Sequence, residues 1–365
     1  MRILIVGGSN SLMKGGYVHA LQQCLQTRGE STLTQISVGA TTTLSGVGRL
    51  FDTHTGQKFD FILYEYSIND TGHFASRAGG DASWLLCLHL LIKTAAKLYP
   101  QAVLVPLMLA QERHFPLEAD YPFYAMQRRV FAQLALPYID MRAWLSELFL
   151  GRKPDWLYAD QAHYAAPQAT DLVGAEVARR LLALAEGGAP RLDATRERLL
   201  ATSPHAGVEL AYVPAVNLRQ FTSGPVELGH AGNRLMRLDY LRLHPGGRLH
   251  LRTEMFPLAL FVKSDAHHDR VTLRLSEGDA PARAGQIATR HADTDSFSFI
   301  YSSIPLPLLW EQTLVRPFGA SDLELAVPPA GQTAAVAGFD CFGAGRAGTD
   351  PTYLDLISVL FVVDG

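Results

Sequence analysis

Cysteine is scarce. The 365-residue chain has three, Cys24, Cys87 and Cys341, each far from the others. No CxxC pair occurs, so the spacing offers neither a zinc ribbon nor a disulfide framework. A dominant charge is lacking too: 32 Lys and Arg stand against 35 Asp and Glu, a formal net charge of −3. Nucleic acid needs a basic face, so this balance argues against it as the main partner. Long apolar runs are also missing. No stretch of about 18 apolar residues occurs, and a transmembrane helix is not expected. Residues 1–6 carry one Arg and a short apolar run that stops at the glycines, too little for a secretory signal. They read as a first strand, and the expected location is the cytoplasm. There is no internal repeat and no low-complexity segment.

The length allows two domains. In the first half, apolar strand candidates at 2–6, 32–38, 60–66, 102–108 and 137–139 alternate with helix candidates near 16–28, 81–98, 123–135 and 168–185. That order predicts βαβ units and a parallel sheet covered on both faces, an α/β domain over 1–188. EGGAP then reads as a helix stop opening a linker over 189–204, in which ATRERLLAT can form a short helix. Over 205–365 the pattern changes to short alternating runs such as MRLDYLRLH, GRLHLRTEM, RVTLRLS and LISVLFVV, separated by HPGG, SEGD and PPAGQ. This predicts an all-β sandwich, jelly-roll-like in its strand set.

Ligands of an open parallel sheet bind outside the carboxyl ends of its strands. Small and polar residues gather at three such ends: Gly7-Gly8-Ser9-Asn10-Ser11, Gly39-Ala40-Thr41 and Ser67-Ile68-Asn69-Asp70. A late segment, LYADQAHYAAP, adds Asp160 and His163 just before the last helix of this half. A carboxylate can fix the tautomer of an imidazole, which can then take a proton from a serine hydroxyl. A glycine N–H and an asparagine amide can stabilise a developing oxyanion. Ser9, Gly39, Asn69, Asp160 and His163 together supply every role of acyl transfer.

Read alone, each is ordinary. Ser9 can cap a helix or sit in an anion-binding loop. GGSNSLMKGG, however, is neither GxxxxGK[ST] nor GxGxxG. Gly39 and Asn69-Asp70 can be turn chemistry, and Asp160 with His163 a surface loop.

As a set, in this order, they resemble the four marker blocks of the SGNH (GDSL-type) hydrolases across about residues 1–185. Gly8 stands where that family has Asp, and Ser67 where it has Gly. The resemblance implies a flavodoxin-like three-layer α/β/α fold for 1–188, with Ser9 as nucleophile and His163 as base oriented by Asp160. It implies an oxyanion hole from the Ser9 N–H, the Gly39 N–H and the Asn69 side chain. No cofactor and no metal are called for.

The expected reaction is hydrolysis of a carboxylic ester, a short acyl group on a carbohydrate or similar small molecule, with the β domain binding or orienting the glycan. Two alternatives stay open: an O-acyltransferase fed by an acyl donor, and a non-catalytic glycan-binding protein with a decayed site. Glu65 reads as an inward or rim residue, and His73, His89 and His114 as packing or surface. Asp265, His267, His268 and Asp269 read as a hairpin turn rather than a metal cluster. The long loop QERHFPLEADYPF is expected to shape the pocket.

Overall fold

Ile3, Leu4, Ile5 and Val6 offer no polar face, and all four are buried in β1 (Arg2–Gly7). This is the centre of the first unit in a computed structural model that describes residues 1–77, 79–115, 121–203, 205–233, 236–265, 270–277, 282–289, 299–306, 321–328, 338–339 and 353–364. α1 (Ser9–Leu12) and α2 (Tyr17–Gln26) lead to β2 (Thr32–Gln35), and α3 (Thr43–Asp52) leads to β3 (Phe61–Glu65). α4 (Ser67–Phe74) and α5 (Gly80–Leu98) precede β4 (Val103–Met108), and α6 (Pro122–Gln133) precedes the short β5 (Ile139–Asp140). The sheet is parallel, in the order β2-β1-β3-β4-β5. Connections run to opposite sides from β1, so the crevice where such sheets bind ligands lies beyond the carboxyl ends of β1 and β3.

The helices cover both faces. α7 (Met141–Leu148) starts on an Asp140 cap, whose side chain accepts the Ala143 N–H at 2.9 Å. α8 (Gln168–Gly187) turns Val173, Val177 and Leu181 inward and ends on Gly188, whose φ of 73° a side chain would disfavour. Gly174 lets α8 approach α2 closely, because a Cβ there would lie 2.6 Å from the Ala20 Cβ.

Two sequence expectations are corrected. α3 fell in a stretch read without a helix. Gly46 and Gly48 lower its helix propensity, but Gly46 faces the sheet, with room for only a 3.0 Å approach to Val6 Cγ1. The segment 189–204 is no linker. It carries α9 (Leu192–Thr202), whose Leu192 and Leu199 are buried, and its Leu192 N–H donates to Ala102 O at 2.8 Å. The helix stop at Gly188 is real, yet the chain packs back, and the first unit runs from Met1 to Ala206.

The second unit, Gly207–Gly365, is built from two antiparallel sheets, in keeping with the expected β-sandwich. In strand order these are β6 (Val208–Pro214), followed by a short helix α10 (Ala215–Leu218), then β7 (Thr222–Ser223), β8 (Val226–Gly232), β9 (Arg237–Leu243), β10 (Arg248–Thr253), β11 (Phe256–Ser264), β12 (Arg270–Glu277), β13 (Arg283–Ala288), β14 (Ile300–Pro305), β15 (Ser321–Ala326), β16 (Gly338–Phe339) and β17 (Leu354–Asp364). One sheet runs β16-β13-β12-β15-β10-β7; among the described residues its pairs are antiparallel apart from β13–β16. The other runs β14-β11-β17-β9-β8, and β6 also pairs β17. β10 and β15 alternate buried and exposed residues, as strands with one dry face do. β11 is buried along its whole length. No helix among the described residues is long and apolar enough to cross a membrane.

Candidate active site

Ser9 opens α1, two residues beyond the end of β1, and is half-buried. The His163 Nε2 lies 2.7 Å from its Oγ. On the other side of the ring, Nδ1 lies 2.8 Å from Asp160 Oδ2 and 3.0 Å from Oδ1. The same carboxylate accepts the N–H groups of Ala162 (2.8 Å) and His163 (2.9 Å), which folds the segment into a tight turn. Burial raises the Asp160 carboxyl, but the hydrogen bonds from Ala162 and His163 outweigh it and hold it below the ordinary carboxylate range. The side chain of Asp160 is 58% exposed and that of His163 28%, so the pair meets solvent.

Gly39 and Asn69 stand beside Ser9. A Cβ at Gly39 would lie 3.4 Å from the Ser9 Cβ, and one at Gly8 would lie 2.3 Å from Asn69 Oδ1. Among the described residues, no hydrogen bond engages the Ser9 N–H, the Gly39 N–H or the Asn69 side chain. Polar groups left open at a surface crevice are free to meet a ligand. The five residues singled out from the sequence are thus brought to one end of the sheet.

Both departures from the family pattern have local reasons. An Asp at position 8 has no space beside Asn69, and the Gly8 N–H instead donates to Glu65 O at 2.8 Å and reaches Glu65 Oε2 at 3.2 Å. Ser67 turns its hydroxyl away from the crevice. It accepts the Leu109 N–H at 2.7 Å and donates to Leu109 O at 2.9 Å, stapling α4 to the end of β4.

Sequence reasoning missed three residues here. Asn10 donates from Nδ2 to Ala162 O at 2.9 Å and accepts the Tyr164 N–H at 3.4 Å, tying the serine turn to the histidine turn. Asp70 is buried and accepts from Thr43 N–H (3.0 Å), Thr43 Oγ1 (2.5 Å), Tyr64 OH (3.0 Å) and Trp84 Nε1 (3.0 Å). Burial pushes its carboxyl up to about 6 against the pull of these bonds. Of the inward or rim placement expected for Glu65, the structure shows the inward one. Glu65 is fully buried under the serine turn, and burial pushes it up to about 8.

The histidines set aside in the sequence lie elsewhere. His89 pairs with Ser203 at 2.8 Å, and burial, with His205 and Lys93 nearby, lowers it to about 4. His114 stacks on Tyr121, and His73 is half-buried in the last turn of α4. Of the loop after β4, Glu112 donates its N–H to Gln161 O at 2.9 Å, beside Asp160; residues 116–120 lie outside the described residues. So do Cys341, His267, His268 and Asp269, while Asp265 accepts from Lys263 and Tyr353. Among the described residues no group of three His, Cys, Asp or Glu is placed to hold a metal ion.

No protein-family model matches the sequence, and no curated protein matches it. Solved structures do. A two-domain esterase active on acetylated mannans, co-crystallised with mannopentaose, aligns with a TM-score of 0.61 at 13% identity, over 100% of this chain and 91% of that one. A second structure of a two-domain esterase active on acetylated mannans gives 0.62 at 13% identity, over 100% and 92%. At this identity the likeness shows the fold: an α/β/α domain followed by a β domain, the architecture of these two-domain esterases.

Proposed function

We propose that the chain is a serine-dependent carboxylic ester hydrolase of the SGNH type that removes acetyl groups from a carbohydrate. The observation that carries this reading is the continuous relay from Ser9 Oγ through His163 to Asp160, at 2.7 Å and 2.8 Å. In it, His163 Nε2 takes the Ser9 proton as Oγ attacks the acyl carbonyl. The oxyanion forms among the Ser9 N–H, the Gly39 N–H and the Asn69 amide, donors with no other duty. His163 then protonates the leaving sugar oxygen. Water, deprotonated by the same imidazole, releases acetate from the acyl-serine. Asp160 holds the tautomer and stabilises the imidazolium.

The carbohydrate part is supported by the shared two-domain fold of esterases active on acetylated mannans, a fold-level analogy. In this reading the β unit orients the glycan. The test is a panel of p-nitrophenyl esters and acetylated glycans, run with the wild type and Ser9→Ala. The wild type should release acetate and Ser9→Ala should not. Activity at the wild-type level in folded Ser9→Ala would overturn the assignment. Acetyl appearing on an added glycan in place of free acetate would turn it toward transfer.

A further inference from the structure

The glycine-rich turn after β1 invites a phosphate, but its glycines serve another contact. A Cβ at Gly7 would lie 2.6 Å from Ser11 Oγ and 3.0 Å from Glu65 Cβ. The bare backbone lets the turn settle onto Glu65. There, Glu65 Oε2 receives the Gly8 N–H at 3.2 Å and Ser11 Oγ at 2.8 Å, and Ser11 Oγ is 2.8 Å from the Tyr17 hydroxyl. Oε1 is buried with no partner among the described residues. A carboxyl so placed spans the two sides of Ser9: it bonds residue 8 before it and residue 11 after it.

We propose that Glu65 is a positioning residue for the nucleophile, its buried carboxyl gripping the Gly8–Ser11 turn and so setting where Ser9 Oγ and the Ser9 N–H stand. The inference rests on the Ser9 reading above. Two bonds from one rigid strand end fix the turn on both flanks of Ser9, and small misplacements of a reacting group are costly in rate.

The protonation state follows from the surroundings. The titratable groups that face Glu65 are Tyr17 from α2, Asp70 from α4, Tyr66 just past β3, and Tyr164 from the histidine turn. None is a cation. Burial raises the three tyrosines above their ordinary range, so they stay neutral while Glu65 titrates. In its neutral form Glu65 holds the turn without a charge, its Oε2 accepting from Gly8 and Ser11. Once ionised, it keeps both bonds and places a negative charge under the turn that carries the Ser9 N–H. Turnover should therefore fall as pH rises past about 8.

The stability consequence has a definite sign. Between its ordinary value and about 8, the folded chain holds a proton that the unfolded chain has released. Stability therefore decreases as pH rises through that window. Asp70 contributes the same slope only up to about 6, and His89 and His114, both lowered to about 4, contribute the opposite slope up to the ordinary histidine range, so among these groups the decline that remains between that range and about 8 belongs to Glu65.

The experiment compares wild type, Ser9→Ala, Glu65→Ala, Glu65→Gln and Ser11→Ala as full chains. It measures kcat and KM for p-nitrophenyl acetate and melting temperature from pH 5 to 9. Glu65→Ala should lose about 10²-fold in kcat with KM little changed. Ser11→Ala, a milder change that keeps the fold if Glu65→Ala does not, should lose about 10-fold in kcat. Glu65→Gln, which mimics the neutral carboxyl, should keep most of kcat, lose the decline above pH 8, and lose the fall in melting temperature on approaching about 8. Unchanged kcat in Ser11→Ala or in folded Glu65→Ala, with Ser9-dependent activity intact, would overturn this inference alone. So would an unaltered alkaline decline in Glu65→Gln. Activity that survives Ser9→Ala would overturn the underlying reading, and this inference with it.

Discussion

In the second unit, Asp355 is fully buried between Arg242 and Lys263, at 2.7 Å from each. Lys263 also reaches Asp265 at 2.7 Å, and Arg242 stacks on the Tyr353 ring at 3.9 Å. Opposite charges hold one another. In the first unit, Glu65 and Asp70 are equally buried, yet neutral donors bond them and, among the described residues, no cation pairs with either. Their carboxyls rise to about 8 and about 6, while burial pulls Lys263 down but Asp355 and Asp265 outweigh it and leave it above the ordinary lysine range. The contrast teaches where each unit keeps its adjustable groups. The β unit uses charge to lock strands. The α/β unit keeps hydroxyls, amides and titratable acids at its strand ends, some of them without partners among the described residues, and there the proposed chemistry would act.

The division breaks if a rim residue of the first unit proves dispensable for turnover, or if the ion cluster of the second proves necessary for it. The largest effect belongs to His163→Ala. It should lower kcat/KM by at least about 10⁴-fold with the melting temperature near wild type, because the general base is gone. Asp355→Ala should act in the opposite sense. It removes the buried carboxylate that half-buried Arg242 and buried Lys263 share, which costs about 3–5 kcal/mol of stability. It should leave kcat on p-nitrophenyl acetate unchanged, checked by denaturant unfolding beside initial rates. A folded variant that turns over slowly would erase the division.

Next comes Asn69→Ala, expected to reduce kcat by about 10²–10³ with little change in KM, since its amide matters most when charge develops on the substrate oxygen. A change in KM alone would make Asn69 a substrate contact. The smallest expected effect is that of Asn10→Ala, about 10-fold in kcat. Asn10 joins the serine and histidine turns but touches neither reacting atom, so initial rates near saturation will show whether the tether matters.

The strand ends were legible because strands buried on both faces are wholly apolar, and any polar residue marks where they stop. That rule located Ser9 and Asn69; Gly39 follows β2, a half-exposed Thr-Leu-Thr-Gln strand at the sheet edge, and the Asp160-to-His163 spacing located the remaining pair. Other features were not legible, for physical reasons. α3 hides behind Gly46 and Gly48. β8 and β13 were missed because β8 is half-exposed along most of its length and β13 begins with small and polar residues, so neither alternates cleanly. Glu65 could be read as inward or at the rim but not as a partner of the serine turn, since Ser11 lies 54 positions away in sequence. Asn10 and Ala162 are 152 apart. Such contacts exist only once the sheet has brought β1, β3 and the histidine turn together.

The central claim is that Ser9, activated by His163, is the nucleophile. Treating the intact chain with a serine-directed fluorophosphonate and mapping the adduct by peptide mass spectrometry tests it most directly, with Ser9→Ala and His163→Ala alongside. The account predicts one adduct per chain, on Ser9, absent in Ser9→Ala and formed far more slowly in His163→Ala. A wild-type chain that stays unlabelled, or that carries the adduct on another serine, would contradict it.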